Sequence, residues 1–165
     1  MNNKPLIIGV GNPLRGDDAF GYAVVTSMKA QYPNIADYKE LTNDFSSVPY
    51  LWKNRNVVVI DSLVCQDKAP GTIIQLFDAT SLSYEKMVSS HGFSIKQSLD
   101  ISEVLDLLPD RIALFGIVGK YWCLGAPMSE ELINQTSSFI SQIKHYVIGP
   151  EIINKNNKNH DCIDK

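Results

Sequence analysis

Three stretches of this chain are apolar almost without interruption: Leu6–Val10 (LIIGV), residues 57–60 (VVVI) and residues 112–119 (IALFGIVG). A strand with one wet face alternates apolar and polar residues. A continuously apolar strand needs cover on both faces, which points to a parallel sheet held between helices. The intervening segments supply the cover. Residues 19–30 place Phe20, Ala23, Val24 and Met28 on one helical face, and Pro33 marks the stop. Residues 94–108 repeat Ile95, Leu99, Val104, Leu105 and Leu108 at helical spacing until Pro109. A further helix opens at Ser129, with Glu130 and Glu131 in its first turn, and runs to about Val147. Residues 38–41 read as a short strand, 48–52 as part of a short helix, and 72–77 as a strand after the turn Lys68-Ala69-Pro70-Gly71. The expected fold is α/β, a three-layer α-β-α sandwich with a mostly parallel twisted central sheet of about five strands. It occupies residues 1–149 as one domain, and the Asn/Lys-rich stretch 150–165 is expected to be a disordered tail.

Composition narrows the function classes. With 165 residues, a net charge of −3 and 20% charged residues, the chain has no electrostatic reason to seek nucleic acid or an acidic membrane. Its three cysteines, Cys65, Cys123 and Cys162, form no C-x-x-C pair, so neither a zinc knuckle nor a dithiol redox site is implied. Their sparse, odd number suits a reducing, cytoplasmic setting. The N-terminal apolar run is too short for a signal peptide or a membrane span.

The loop after the first run reads GVGNPLRGDDAFG. Glycine-rich loops after a strand commonly hold phosphate, yet this one departs from both familiar patterns. Gly9 and Gly11 satisfy the start of G-x-G-x-x-G, but Leu14 stands at the third glycine, and no Gly-Lys-Ser/Thr follows. Pro13 has no N–H to offer an anion. Asp17 and Asp18 would repel one. Either Asp17 caps the following helix with Asp18 as a first-turn acid, or at least one faces a crevice to bind a cation or move a proton. Asp61, at the end of the second apolar run, belongs to the same sheet edge, where sites of open α/β sheets lie. His91 leads into the long helix. Taken singly, Asp61 reads as a turn residue and His91 as a surface histidine. Together Asp18, Asp61 and His91 form an O, O, N set suited to a borderline divalent ion such as nickel or zinc.

These residues resemble the hydrogenase maturation endopeptidases, which trim the C-terminal extension of the large subunit of nickel–iron hydrogenases. The first block is similar to that family's G-x-G-N-x-L-x-x-D-[DE]-x-x-G and stands here as Gly9 to Gly21. The others are the apolar run with Asp61 and the later Pro70-Gly71-Thr72, then His91, then Gly116-Ile117-Val118. The resemblance spans roughly residues 5–147. It implies that Asp18, Asp61 and His91 contact nickel, and that Asp17 or Asp18 can serve as general base. It implies substrate contacts at Asn12 and in the loop after the second strand. There Thr42-Asn43-Asp44 replaces the family's usual Gly-Gly-Thr/Ser, a departure that bears on substrate choice. Trp122 is a further candidate contact.

The resemblance also implies that the nickel is supplied by the substrate, so that no tightly bound resident cofactor is expected, although other divalent ions can enter the site in vitro. The implied partner is the precursor of the large subunit, met by a monomeric cytoplasmic protease. No G-x-S-x-G or H-E-x-x-H occurs, which argues against a serine nucleophile and against a zincin. The rival readings are a non-catalytic nickel-checking chaperone of the same precursor, another peptidase of similar fold such as the spore germination protease, and a nucleotide-binding module.

Overall fold

Alternate residues of the central strands enter two separate cores. Ile7, Val58, Ile60, Ala113, Phe115 and Ile117 pack in one, and Leu6, Ile8, Val10, Val57, Val59, Ile112 and Leu114 in the other. Side chains of a strand point to opposite faces in turn, so a continuous apolar run fills both sides of the sheet. The computed structural model describes residues 4–77 and 92–149. Its strands are β1 (Leu6–Val10), β2 (Asp37–Leu41), β3 (Asn56–Leu63), β4 (Ile73–Phe77) and β5 (Arg111–Val118), in the order β2-β1-β3-β5-β4. All neighbours pair in parallel except β4, which lies antiparallel to β5 at the edge.

Helices α1 (Phe20–Gln31) and α4 (Glu130–Ile148) cover the first face, where Phe20 meets Phe139 edge-on at 4.9 Å between centroids. Helices α2 (Val48–Trp52) and α3 (Gly92–Val104) cover the second with Trp52, Ile95 and Leu99. The mostly parallel five-stranded sheet between helical layers is the expected architecture. The chain leaves β1 toward β2 on one side while β3 lies on the other, so the strand order reverses between β1 and β3. In such sheets the crevice beyond the carboxyl ends at that point is the usual ligand site.

Several elements differ in detail from the sequence reading. Strand β3 does not end at Ile60 but continues through Asp61, Ser62 and Leu63, paired with Gly116, Ile117 and Val118. Pairing with β1 stops at Ile60, and β5 carries β3 onward. Ala23 is exposed on α1, and its place in the core is taken by Val25. Helix α3 ends at Val104, before the expected Leu108. Asp106 adopts φ 55°, Leu107 N–H bonds Ser102 O and Asp106 N–H bonds Glu103 O, a Schellman closure with aspartate in the left-handed position. That turn leaves Val104, Leu105 and Leu108 exposed. Residues 150–165 and His91 lie outside the described residues.

Candidate active site at the carboxyl edge

The glycines of the first block serve close backbone packing. A Cβ built on Gly21 would lie 2.6 Å from Ile60 O and closer still to Val10 O, and one on Gly9 would strike Gly21 O. Small residues at both positions let the start of α1 rest directly on β1 and β3. The link from β1 to α1 is a tight 3-10 turn, Gly16–Ala19, which also packs against β3. Gly16 has φ +56°, and its amide donates to Ala126 O. The turn thereby delivers Asp17 and Asp18 to the carboxyl edge of the sheet at the switch point.

The two acids have separate surroundings. Asp18 is buried at 1% exposure, and its Oδ2 accepts the Asn12 N–H at 3.1 Å across the loop. Asn12 in turn holds the Leu14 N–H on its own Oδ1 at 2.9 Å, shaping the loop as an Asx turn. Asp17 is wholly buried. Its Oδ2 accepts the Lys120 N–H at 2.6 Å, the Tyr121 N–H at 3.1 Å and the Ser129 hydroxyl at 3.0 Å, while its Oδ1 accepts the Ser129 N–H at 2.7 Å. The capping reading is corrected here. Asp17 does not cap α1, whose N-terminus carries no side-chain cap, and Asp18 lies with it in the preceding 3-10 turn, ahead of the first turn of α1. Asp17 instead reaches the loop 119–129 and the start of α4, where its charge meets the positive end of that helix. Ser129 stands at the N-cap position of α4, yet its hydroxyl serves Asp17 and caps nothing in its own helix.

Asp61 is 3% exposed, in β3 at the first position beyond the pairing with β1. Alternation with Val57 and Val59 puts it on the α2/α3 face. Helix α3 descends from this edge: Ser98 bonds Phe45 O just after β2, Ser102 meets Trp52 lower down, and Leu108 O receives the Asn54 N–H near the start of β3. Its first residue, Gly92, therefore belongs to the carboxyl edge, and His91 precedes it in sequence. Among the described residues no group of three or more His, Cys, Asp and Glu could hold a metal ion. Of the three expected nickel contacts, two are described, and both sit at the switch point.

The expected substrate residues surround this point. Asn12 is half-buried in the first loop, and Gly11 N–H bonds Leu41 O, tying that loop to the end of β2. Thr42 is half-buried, and Asn43 and Asp44 are exposed. The Asp44 carboxyl is held below its ordinary value by the hydroxyl and then the amide of Ser46, which close a small turn. Trp122 is half-buried, and its carbonyl accepts the Arg15 Nε–H at 3.3 Å.

Sequence reasoning singled out only Trp122 in the loop 119–129 and missed the bonds that tie this loop to Asp17. These contacts span more than 100 residues of chain, and the loop's residues carry no local motif. A cleft of about 600 Å³ opens beside it, walled in part by Lys120, Tyr121, Met128, Glu130 and Glu131. Lys120 and Glu131 pair at 3.0 Å on its rim. Glu131 is held below its ordinary value by its own backbone amide and by Lys120, and Lys120 is raised by Glu131 and Tyr121.

No family model matches the chain. A curated relative, Hydrogenase 2 maturation protease of Escherichia coli, is 26% identical over 118 residues, which cover 68% of this chain and 71% of that protein. Two solved structures superpose closely. The NiFe hydrogenase maturation protease HybD from Thermococcus kodakarensis does so with a TM-score of 0.74 at 20% identity, covering 87% of this chain and 99% of that one. The hydrogenase maturating endopeptidase HybD from E. coli does so with a TM-score of 0.73 at 20% identity, covering 85% and 89%. The chain thus has the fold of these proteins, and the likeness read from its four sequence blocks to the hydrogenase maturation endopeptidases is met again in its curated relative and in its structural neighbours.

Proposed function

We propose that this protein is an endopeptidase of hydrogenase maturation, which removes the C-terminal extension from the nickel-loaded precursor of a nickel–iron hydrogenase large subunit. The observation that carries the reading is that Asp18 and Asp61 both stand, buried, at the carboxyl edge of the sheet beside the strand-order reversal. A glycine-packed turn brings the first to the edge where the second stands. The matching fold of proteases named for this task supports it.

In this reading nickel arrives as part of the substrate, held by the precursor's cysteine thiolates. Asp18, Asp61 and His91 occupy its open positions, so that only a loaded subunit is recognised. Imidazole and carboxylate are suitable donors for such an ion. Nickel can polarise the scissile carbonyl or acidify a bound water. Asp18 is the carboxylate assigned to general-base duty, and cleavage follows a His or Arg just after the last cysteine motif. Asn12 and Thr42-Asn43-Asp44 contact the precursor beside the metal. The protein acts as a monomer in the cytoplasm, and no described helix is long and apolar enough to cross a membrane.

The test is mass spectrometry of precursor incubated with the protein, with and without nickel loaded. Loss of one C-terminal peptide from the loaded form alone is expected. Asp18→Asn, Asp61→Asn and His91→Ala variants should stay folded and leave the precursor whole. Stable binding without any shortening would replace the protease with a nickel-checking chaperone.

A further inference from the structure

Asp17 is buried, ionisable, adjacent to Asp18 and engaged by four donors of one distant loop. We propose that Asp17 is a positioning residue: it locks the cleft-forming loop 119–129 to the turn that presents Asp18, and so fixes the peptide-facing and metal-facing halves of the site in register. The proposal rests on the protease reading above.

Asp17 is wholly buried, and its carboxylate is turned to the loop and away from solvent. Both oxygens are taken by Lys120 N–H, Tyr121 N–H, Ser129 N–H and Ser129 O–H, all within 3.1 Å. Its own N–H donates to Tyr121 O at 2.8 Å, so the exchange runs both ways. Further bonds from Gly16 N–H to Ala126 O and from Gly125 N–H to Leu14 O join the same two loops. A carboxylate is the side chain that accepts throughout, and an anionic acceptor strengthens each bond. The small Gly119 belongs to the same arrangement, since a Cβ there would lie 3.0 Å from Asp17 Cβ and 2.9 Å from the Trp122 ring. The neighbouring Asp18 is therefore held on a turn whose other side is the wall of the cleft.

Asp17→Asn keeps the shape but aims an amide NH2 at backbone donors. Ser129→Ala removes one donor and leaves Asp17 and its three N–H bonds in place. Single-turnover cleavage of nickel-loaded precursor separates the amount of active protein, read as amplitude, from the rate constant of each active molecule. Asp17→Asn should lower the rate constant roughly 10- to 100-fold with amplitude and KM little changed, because catalytic geometry tolerates errors of well under ~1 Å. Ser129→Ala should lower the same constant by less. Amide hydrogen exchange at Lys120, Tyr121 and Ser129 should quicken in both variants.

A fall in amplitude at an unchanged rate constant would reduce Asp17 to a stability residue and overturn the proposal. Slowed cleavage by Asp17→Asn with undisturbed exchange at those amides would make it a reacting base, and overturn it too. If Asp17→Asn does not fold, Ser129→Ala decides: a rate constant within about twofold of wild type refutes the lock. Wild-type protein that leaves every loaded precursor intact refutes the protease reading itself, an outcome distinct from an Asp17 variant that cleaves normally.

Discussion

Gly21→Ala sets two physical effects against each other. Gly21 lies in the first turn of α1. By helix propensity alone, alanine is better than glycine there by ~1 kcal/mol. The new methyl, however, would sit 2.6 Å from Ile60 O, 2.9 Å from Val10 N and closer still to Val10 O. All three are backbone atoms of central strands and cannot rotate away. Overpacking a tight interior costs about 1–3 kcal/mol, and contacts with unyielding backbone belong at the upper end. The clash outweighs the propensity gain, leaving a net loss of about 2 kcal/mol. For a domain of this size that lowers Tm by roughly 4–8 °C. Urea unfolding followed by far-UV circular dichroism would show the midpoint falling by about 1 M at an unchanged slope. The same displacement of α1 carries the Gly16–Ala19 turn with it, so processing should fall in parallel. A midpoint equal to or above wild type would mean that helix and strands separate freely, and the account of why these glycines stand in the block would fail.

Two further changes probe the surroundings. Ser102→Ala deprives the buried Trp52 indole N–H of its 2.9 Å acceptor, and unfolding should show a loss of about 1–3 kcal/mol; unchanged stability would deny that this bond matters. Glu131 has its folded pKa depressed below 4.5, so its contribution is complete above 4.5 and disappears as pH falls through the folded value. A stability difference between wild type and Glu131→Gln at pH 7 should therefore shrink toward pH 3; growth of the difference in acid would reverse the assigned sign.

The sheet was legible because its central strands are buried on both faces, a burial that local composition alone expresses. Helix α4 was legible to within a residue at each end, since its acidic first turn and apolar face are local signals. Boundaries failed where neighbours decided them. β3 runs past Asp61 because β5 offers partners there, although a carboxylate ordinarily ends an apolar run. α3 stops four residues early because Asp106 accepts a left-handed turn that no periodicity announces. The placement of Asp18 and Asp61 at the carboxyl edge was readable from their position after apolar runs. The partners of Asp17 were not, for they lie more than 100 residues away and two of them are known only by their backbone N–H.

Why a glycine-rich loop carries two acids then has a physical answer. In a phosphate cradle, glycines free a run of backbone N–H groups to converge on an anion. Here Gly9 and Gly21 are spent on contact between helix and strands, Gly11 N–H goes to Leu41 O, and Gly16 N–H goes to Ala126 O. The donors that would have held phosphate are engaged within the protein. Carboxylates become compatible with such a turn once something accepts their charge. For Asp17 that something is the start of α4 with the amides of Lys120, Tyr121 and Ser129. For Asp18 one amide, that of Asn12, contributes from within the loop. Geometry thus gives the two acids separate partners, and under the proposed function exchanging their side chains for asparagine one at a time should give different defects: slowed cleavage for Asp17, lost recognition of nickel for Asp18.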